Sequence, residues 1–291
     1  MAGRLFDKVA IVTGAGTGIG EAVALKFAKE GARLLLAGLP SDPVDEVARL
    51  ITGAGGFAEV FQGDLAEERD AQGCVEACIN AYGRLDVLVN VAGVFLVTAE
   101  TQDYPIEAFD ETLRANVRST FLMTRFALPH LQKTYGNVVS TGSEAGQIGI
   151  AKNAMYGGTK AFIHSFMRGV AVEQAAYGVR ANCVCPGPID TAWTHKETGP
   201  MDRQMEKTNL QATPMGRLGT PEEVANIFAF LASDEASYVT GALYFVDGGI
   251  TVGKGPVGDQ ASSHFKAPPK GTLPTRHAHE GLRNKSTETL T

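Results

Sequence analysis

The sequence has no cluster of lysines and arginines, and its 32 acidic residues outnumber the 26 basic ones, giving a formal net charge of -6. Proteins that bind nucleic acid through its phosphates need a concentrated positive surface, which this composition does not provide. No uninterrupted apolar run approaches the ~18 residues that a bilayer-spanning helix requires. Charges at Arg4, Asp7 and Lys8 interrupt the N-terminal stretch where a signal peptide would be apolar. We therefore expect a cytoplasmic protein that binds neither nucleic acid nor a membrane.

Cysteine is scarce too. The four cysteines form the sequence pairs Cys74/Cys78 and Cys183/Cys185. Neither pair has the C-x-x-C spacing of many metal and redox sites, and no histidine lies at ligand spacing from them. A zinc site would require the two pairs to meet in space, whereas small buried thiols are common in protein cores. We expect reduced, buried cysteines and no bound metal.

The rest of the composition is ordinary for a globular domain, since 44% of the 291 residues are hydrophobic and 20% are charged. Short apolar runs alternate with longer segments of helical periodicity, which is typical of parallel strands joined by right-handed helical crossovers. Runs such as LLLA and VLVN are apolar throughout, as expected of strands buried on both faces. The pattern predicts an α/β fold: a single doubly wound, Rossmann-type domain over 1–251, with a seven-stranded parallel sheet and helices on both faces.

The same patterns set the expected bounds of each element. The predicted strands are Val9–Thr13, Arg33–Ala37, Ala58–Gln62, Leu85–Asn90, Asn137–Thr141, Val179–Cys183 and Leu243–Val246. The predicted helices are Ile19–Glu30, Asp42–Thr52, Glu67–Tyr82, Glu107–Gln132, Ala154–Tyr177 and Pro221–Ser233.

Two segments interrupt the alternation. Residues 191–219 are polar and helix-prone and follow a strand end, where open α/β sheets place their ligand crevice, so we predict a substrate lid rather than a solvated loop. Residues 252–291 are rich in Gly, Pro, Ser, Thr, Lys and His. Such a tail cannot bury enough apolar surface to fold alone, and we expect it to be disordered or to lie across a neighbouring subunit. Its His277 and His279 are expected to be solvated.

The first predicted strand runs into the sequence TGAGTGIG at residues 13–20, and a helix follows at once. Glycines allow a tight turn and a close approach of the backbone, while the helix N-terminus offers unpaired N–H groups and a positive dipole end. That combination suits a pyrophosphate. The spacing is T-G-x-x-x-G-x-G rather than G-x-G-x-x-G, and the strand before it and the helix after it make the motif informative.

Tyr156 and Lys160 are four residues apart on a predicted helix, so both side chains project from one face. A phenol is a poor base at neutral pH, and a nearby cation lowers its pKa toward the working range. On its own the pair would suit a surface tyrosine beside a solvated lysine. Two further features favour a catalytic interpretation. Ser143 lies just past the end of one predicted strand, and the sequence NVAG at 90–93 ends another.

Taken in order, these motifs resemble those of the short-chain dehydrogenase/reductase family over residues 5–250. The matching elements are TGAGTGIG (13–20), Asp64, NVAG (90–93), Asn116, Ser143, YGGTK (156–160) and PGPIDT (186–191). The resemblance implies an NAD(P)-dependent enzyme that interconverts a secondary alcohol and a ketone by hydride transfer, with the protein supplying geometry and electrostatics.

The resemblance also implies a role for each matching residue. Tyr156 would exchange the proton with the substrate oxygen, and Lys160 would bind the nicotinamide ribose and depress the pKa of Tyr156. Ser143 would stabilise the developing alkoxide, and Asn116 would hold a water in a proton relay. The cofactor-binding residues would be Gly14, Thr17, Gly18, Ile19, Gly20, Asp64, Leu65, Asn90, Ala92, Gly93, Tyr156, Lys160, Pro186, Gly187, Ile189 and Thr191. Among these, Asp64 would contact the adenine, Asn90 would fix its strand beside the cofactor, and Ile189 with Thr191 would hold the carboxamide.

The choice of cofactor rests on the end of the second strand, where this chain departs from the family. Gly38 stands where NAD-preferring members carry Asp, and Leu39 where NADP-preferring members often carry Arg. With Asp42 and Asp45 nearby and no cation, NAD is favoured. NADP is the alternative, because Ser41 could donate to a phosphate.

The substrate is expected to be a medium-sized, partly apolar alcohol or ketone, with Val94, Phe95, Glu144, Ile148, Trp193 and Met201 lining the crevice. Glu144 is expected to point to solvent, because lone carboxylates seldom stay buried. Helices 107–132 and 154–177 carry more apolar surface than one sheet face requires, which predicts a homodimer or homotetramer. The alternatives are a 3-oxoacyl-thioester reductase of the same family and a non-enzymatic, cofactor-binding regulator.

Overall fold

A seven-stranded, all-parallel sheet forms the centre of the computed structural model, which describes residues 3–194 and 199–279. The strand order is β3-β2-β1-β4-β5-β6-β7, so the chain reverses its direction of winding between β1 and β4. The strands are β1 Val9–Thr13, β2 Arg33–Gly38, β3 Phe57–Gln62, β4 Val87–Asn90, β5 Asn137–Thr141, β6 Arg180–Pro186 and β7 Leu243–Val246. This topology confirms the predicted doubly wound α/β fold and puts a ligand crevice at the carboxyl ends of β1 and β4.

Helices cover both faces of the sheet. They are α1 Gly18–Lys29, α2 Val44–Gly53, α3 Glu68–Tyr82, α4 Ile106–Leu113, α5 Ser119–Thr134, α6 Ala154–Gln174, α7 Arg203–Ala212, α8 Pro221–Ala232 and the short α9 Ser263–Lys266. None of the helices within residues 3–194 and 199–279 combines the length and apolarity needed to cross a bilayer.

Two apolar cores hold the helices to the sheet, one on each face. Phe27 of α1 and Phe228 of α8 are fully buried in the first core, and Met123 of α5 and Ile163 of α6 in the second. All five residues of β1 are buried, because helices pack on both of its faces. The edge strand β3 is only partly buried. The continuous apolar runs in the sequence therefore mark the central strands.

Local signals in the sequence explain several helix ends. Thr220 and Glu223 form a reciprocal capping box at the start of α8, where Pro221 takes the first helical position. Gly83 ends α3 in the left-handed conformation at φ 75°.

The predicted helix 107–132 is divided in the structure. A π-helical turn, Arg114–Arg118, separates α4 from α5 and carries Asn116. Single π-helical turns inside α-helices often occur at functional sites. Hydrophobic periodicity did not reveal the break, because a single wider turn leaves the apolar pattern on either side nearly unchanged.

The described part of the tail, 252–279, packs against its own chain, which differs from both arrangements expected of it. Backbone N–H groups of Arg276 and His277 donate to the Glu21 carboxylate at 2.6 and 2.8 Å, and Thr272 bonds Glu222. The His277 side chain also lies 3.1 Å from Glu46 and is only 12% exposed, so its expected solvation is wrong. Polar contacts to α1, α2 and α8 thus take the place of the apolar core that the tail lacks. Residues 195–198 of the predicted lid and 280–291 of the tail lie outside the described residues.

Candidate active site

A cavity of about 450 Å³ opens at the carboxyl ends of the central strands and is within the usual size range of small-molecule sites. It is lined by most of the residues predicted to bind cofactor or catalyse. These are Gly14, Thr17, Gly18, Ile19, Gly20, Asp64, Leu65, Ala92, Gly93, Ser143, Tyr156, Lys160, Pro186, Gly187, Ile189 and Thr191. Asn90 and Asn116 belong to the layer beneath.

The glycine-rich turn is shaped for close backbone approach. Gly14 has φ +62°, and a Cβ there would lie 2.9 Å from the backbone of Ala92. A Cβ on Gly20 would lie 1.9 Å from the carbonyl oxygen of Gly14. Side chains at these two positions would push β1, β4 and α1 apart. Glycine therefore lets the N-terminus of α1 face the cavity, where its N–H groups fit a diphosphate.

The C-terminal segment reaches this same turn, which the sequence did not reveal. The N–H of Gly18 donates to the carbonyl oxygen of His277 at 3.1 Å, and Ala278 is almost fully buried beside it. His279 lies 3.5 Å from Asp190, which follows β6. The segment therefore packs against the glycine-rich turn.

The end of β2 holds a carboxylate supplied from further along the chain. A Cβ on Gly38 would lie 3.0 Å from Oδ2 of Asp42, and the N–H of Leu39 donates to that same oxygen at 2.9 Å. The Asp42 carboxylate thus occupies space into which a side chain at position 38 would point.

Asp64 is engaged by a cation that the sequence analysis missed. Its Oδ2 accepts from Arg114 at 2.5 Å, and its Oδ1 accepts from the N–H of Ala66 at 3.0 Å. Arg114 also contacts Glu111 and lines the cavity. This arginine is 50 residues from Asp64 along the chain, so no motif connects the two.

Tyr156 and Ser143 meet on the cavity wall. Ser143 follows β5 and begins the 3-10 turn Glu144–Gly146, with its Oγ accepting from the N–H of Ala145 at 3.1 Å. Desolvation raises the pKa of the Tyr156 phenol, while its hydrogen bond with the Ser143 side chain lowers it. The phenol therefore stays protonated at neutral pH. The rings of Phe95 and Trp193 lie 4.8 and 6.4 Å from the Tyr156 ring and form the apolar part of the wall.

Lys160 is buried beside Tyr156. Its Nζ lies 5.5 Å from the centre of the Tyr156 ring and donates to the carbonyl oxygen of Thr141 at 3.0 Å. Desolvation lowers the pKa of Lys160 to about 8, which leaves the ammonium mostly charged at neutral pH. Burial, Ser143 and the charge of Glu144 set the pKa of the Tyr156 phenol in this structure, and the expected lowering of that pKa by Lys160 is not among these effects.

Asn116 is fully buried in the π-helical turn and fixes the loop after β4. Its side chain exchanges two hydrogen bonds with the backbone of Val94, at 2.6 and 2.9 Å, and donates to Thr159 at 3.2 Å. A Cβ on Gly93 would lie 2.9 Å from the Asn116 Oδ1, so only glycine fits there. Asn116 thus joins the cavity loop to the helix that carries Lys160.

Asn90 also lies beneath the cavity. Its Nδ2 donates to Thr124 and Ser140 at 3.2 and 3.1 Å, connecting β4 to α5 and β5. This position agrees with a role in fixing the strand, and direct contact with a bound dinucleotide would come from Ala92 and Gly93 instead.

The substrate end of the cavity corrects two expectations. Five of the six residues predicted to line this end do so: Val94, Phe95, Glu144, Trp193 and Met201. The sixth, Ile148, does not line the cavity, whereas Ile150 does. Glu144 is only 6% exposed, so its predicted orientation toward solvent is wrong. The short turn after Ser143 folds Glu144 inward, a reversal that its neighbours in sequence do not indicate.

A cluster of metal-type donors lies behind the active-site loop. His164 Nε2 is 3.2 Å from Cys185 Sγ, and Cys183 Sγ is 3.8 Å from the same sulfur. Hydrogen bonding with Cys183 and His164 lowers the pKa of Cys185. These are donors that a soft metal ion could use. Sequence spacing missed the cluster, because His164 comes from α6 and the two thiols from β6.

Comparisons with known proteins agree with this geometry. A family model described as Enoyl-(Acyl carrier protein) reductase matches residues 14–251. Glucose 1-dehydrogenase 2 of Bacillus subtilis is 36% identical over 252 residues, covering 85% of this chain and 96% of that protein. A 3-oxoacyl-(acyl-carrier-protein) reductase of Thermotoga maritima is 34% identical, covering 86% of this chain and 100% of the relative.

A similar solved structure is a mutant short-chain dehydrogenase/reductase of Serratia marcescens. It has a TM-score of 0.79 and 31% sequence identity, and the match covers 86% of this chain and 100% of that one.

Proposed function

Since the chain belongs to the short-chain dehydrogenase/reductase family, whose members use NAD(P) and act on CH–OH groups, we propose that it interconverts a secondary alcohol and a ketone with Tyr156 as the acid/base. The observation that carries the proposal is the meeting of Tyr156, Ser143 and Lys160 at one end of a cavity whose other end is a glycine-rich helix N-terminus.

The raised pKa of Tyr156 determines how the phenol acts in each direction. In reduction, the protonated phenol donates its proton to the carbonyl oxygen, and a nicotinamide cofactor bound in the cavity would supply the hydride. Ser143 donates to the same oxygen as negative charge develops there. In oxidation, Tyr156 must first lose its proton, so oxidation should speed up as pH rises.

Lys160 supports this proton transfer electrostatically. Its ammonium lies over the Tyr156 ring and stabilises the phenolate that remains after proton donation. We infer that the same group binds the nicotinamide ribose, while Asn116 holds the adjoining loop through Val94. Both roles follow the family pattern.

For the cofactor, we infer a preference for NAD. The Asp42 carboxylate lies beside Gly38, where it can accept from ribose hydroxyls and would repel a 2′-phosphate. Ser41, also on the cavity wall, keeps NADP as the alternative. Separate titrations with NADH and NADPH test this preference, and Asp42→Asn should narrow the difference between the two dissociation constants.

For the domain organisation, we propose that 191–219 is the substrate lid of one domain spanning 1–251. Its described parts support this role, since Trp193, Met201, Met205 and Asn209 all line the cavity.

For assembly, we propose a homodimer or homotetramer formed through α5 and α6. Phe121 and Phe162 are 43% and 39% exposed, and both rings contact Phe166 to make an apolar surface. Light scattering of the wild type and of Phe162→Glu tests this, with a lower mass expected for the variant.

The main alternative substrate class is a 3-oxoacyl thioester, which the name of the Thermotoga maritima relative favours. The name of the Bacillus subtilis relative instead favours a hydroxylated substrate. A non-enzymatic regulator would not need Ser143, Tyr156 and Lys160 together at one cavity.

The decisive test is an absorbance screen over alcohols, ketones and acyl thioesters with each cofactor. Tyr156→Phe should abolish turnover while leaving the Kd for NADH nearly unchanged. Tyr177→Phe, at a residue that is 52% exposed, is the matched control and should behave as wild type. Substantial activity in Tyr156→Phe would show that the phenol is not the proton carrier.

A further inference from the structure

Three buried side chains that the proton-transfer mechanism does not use meet behind the active-site loop. Cys183 and Cys185 of β6 have no exposed surface, and His164 of α6 is 4% exposed. Because the two cysteines are two residues apart on a strand, both thiols project from the same face of the sheet. The donor atoms, one nitrogen and two sulfurs, all lie within 4.8 Å of one another. The fold thus gathers a compact set of soft metal ligands.

The spacing of these donors suits a single ion. The two sulfur atoms are 3.8 Å apart. An ion about 2.3 Å from each of two thiolates, with a bond angle of about 110–120°, requires a sulfur–sulfur distance of about 3.8–4.0 Å. The distance from His164 Nε2 to Cys185 Sγ is 3.2 Å and would need to lengthen by about 0.4 Å. Coordination therefore requires only a small movement of the imidazole ring.

The hydrogen bonds of His164 put a lone pair on the nitrogen that faces the sulfurs. The backbone N–H of Ser143 donates to His164 Nε2 at 3.4 Å. An imidazole nitrogen that accepts a hydrogen bond is unprotonated, so the proton of the neutral ring is on Nδ1. Neutral imidazole is the form that binds a metal ion. The bond from Ser143 is long and therefore weak, so a metal–nitrogen bond can replace it.

The charges around the cluster favour a monovalent ion. The Lys160 ammonium is close enough to Cys183 and Cys185 to interact with both electrostatically. Two thiolates, a monovalent cation and this ammonium sum to zero net charge, whereas a divalent cation would leave one buried positive charge uncompensated. Thiolate ligands select Cu(I) and zinc, and a closed zinc site needs four ligands. Within the described residues this cluster supplies three, which favours Cu(I).

The active-site cavity gives an ion a short route to the donors. Gly142 and Pro186 line the cavity wall in front of the cluster. A Cβ on Gly142 would lie 2.5 Å from His164 Nε2 and 2.7 Å from Cys183 Sγ, so the donors are directly behind this glycine. Since position 142 carries no side chain, local opening of the loop exposes them, and we expect slow uptake without global unfolding.

We propose that His164, Cys183 and Cys185 form a binding site for one Cu(I) ion behind Ser143. Both sulfurs bind as thiolates, so the thiol protons are released to solvent as the two copper–sulfur bonds form. The third bond uses the lone pair of His164 Nε2. Copper enters and remains as Cu(I), so no electron is transferred. The inference is independent of the proposed function, since none of the three ligands lines the cavity.

The test is an anaerobic competition between the reduced, full-length protein and the coloured Cu(I)–bicinchoninate complex. Loss of colour should correspond to one copper per chain. Cys183→Ala/Cys185→Ala and His164→Leu should each bind copper at least about tenfold more weakly, because even the hydrogen-bond partners of metal ligands contribute that much. Cys74→Ala/Cys78→Ala is the matched control and should keep the wild-type affinity, since those thiols are equally buried and outside the cluster.

Two further measurements separate slow entry from the absence of a site and identify the ligands. Each protein is also unfolded in urea and refolded with the copper complex, and NADH binding then checks that it has refolded. X-ray absorption of the loaded wild type should show about two sulfur neighbours and one nitrogen neighbour around copper.

Three results would overturn the inference. The first is no copper uptake by the wild type, whether folded throughout or refolded. The second is wild-type affinity in a folded Cys183→Ala/Cys185→Ala protein or, if that variant does not fold, in His164→Leu. The third is displacement of copper by an equimolar amount of Zn(II), which would contradict the preference for a monovalent ion.

Discussion

The contact between Glu21 and the C-terminal segment offers a direct test of how the described tail is held. Glu21, in the first turn of α1, is fully buried and accepts from the backbone N–H groups of Arg276 and His277. The perturbations are Glu21→Gln, truncation of the chain after Lys270, and the two combined.

The expected magnitude follows from the number of charge-assisted hydrogen bonds. Each bond to a charged acceptor contributes about 1.5–3 kcal/mol, and a glutamine keeps only one of the two acceptor oxygens of Glu21. In the full-length chain, Glu21→Gln should therefore lower the free energy of unfolding by about 2 kcal/mol. In the truncated chain both tail N–H donors are absent, so Glu21→Gln should cost less there than in the full-length chain.

Urea unfolding of the four proteins at one protein concentration gives the double-mutant cycle. Glu68→Gln is the matched control, because Glu68 occupies the first turn of α3 and pairs with the exposed Arg125. Its cost should be the same in both backgrounds. An equal cost of Glu21→Gln in full-length and truncated chains would refute the proposed coupling between Glu21 and the tail.

Three other outcomes can be measured at the site. Lys160→Met should lower kcat about a hundredfold or more and raise the Kd for NADH, and wild-type kinetics would contradict its role. The Glu144 pKa rises from 4.5 to about 8 on folding. Between pH 4.5 and about 8, the folded state therefore binds more protons than the unfolded state. The free energy of unfolding should fall as the pH rises through this range. Glu144→Gln should make the free energy of unfolding less dependent on pH. The same pH dependence in wild type and variant would exclude Glu144 as its source. Gly142→Ala places a Cβ 2.5 Å from His164 Nε2 and 2.7 Å from Cys183 Sγ. It should cost about 1–3 kcal/mol in urea unfolding, and an unchanged midpoint would contradict the close packing.

The sequence predicted the fold well because the signals for it are local. Buried parallel strands read as continuous apolar runs, and β1, β5 and β7 have the predicted bounds. The glycine-rich turn was recognisable because a strand, a turn and a helix follow one another within a few residues. Most helix ends moved by one or two residues, and α6 ends three residues before the predicted Tyr177. The π-helical turn at Asn116 was missed because it hardly changes the periodicity.

The site was predicted where a motif carries its chemistry and was missed where distant segments meet. Tyr156 and Lys160 share one helical face, so their spacing alone brought them together. Arg114 beside Asp64 and His164 beside Cys185 come from separate elements, and no local pattern connects them.

By itself, the order of residues determined the α/β architecture, the glycine-lined helix start and the Tyr156/Lys160 pair, since each depends on neighbours within one element or two. Tertiary structure decided which way the Glu144 carboxyl points, which carboxylate stands beside Gly38, and where residues 271–279 lie. Burial and hydrogen bonding between segments far apart in the chain set those features, because the free energy of a polar group depends on everything that surrounds it in space.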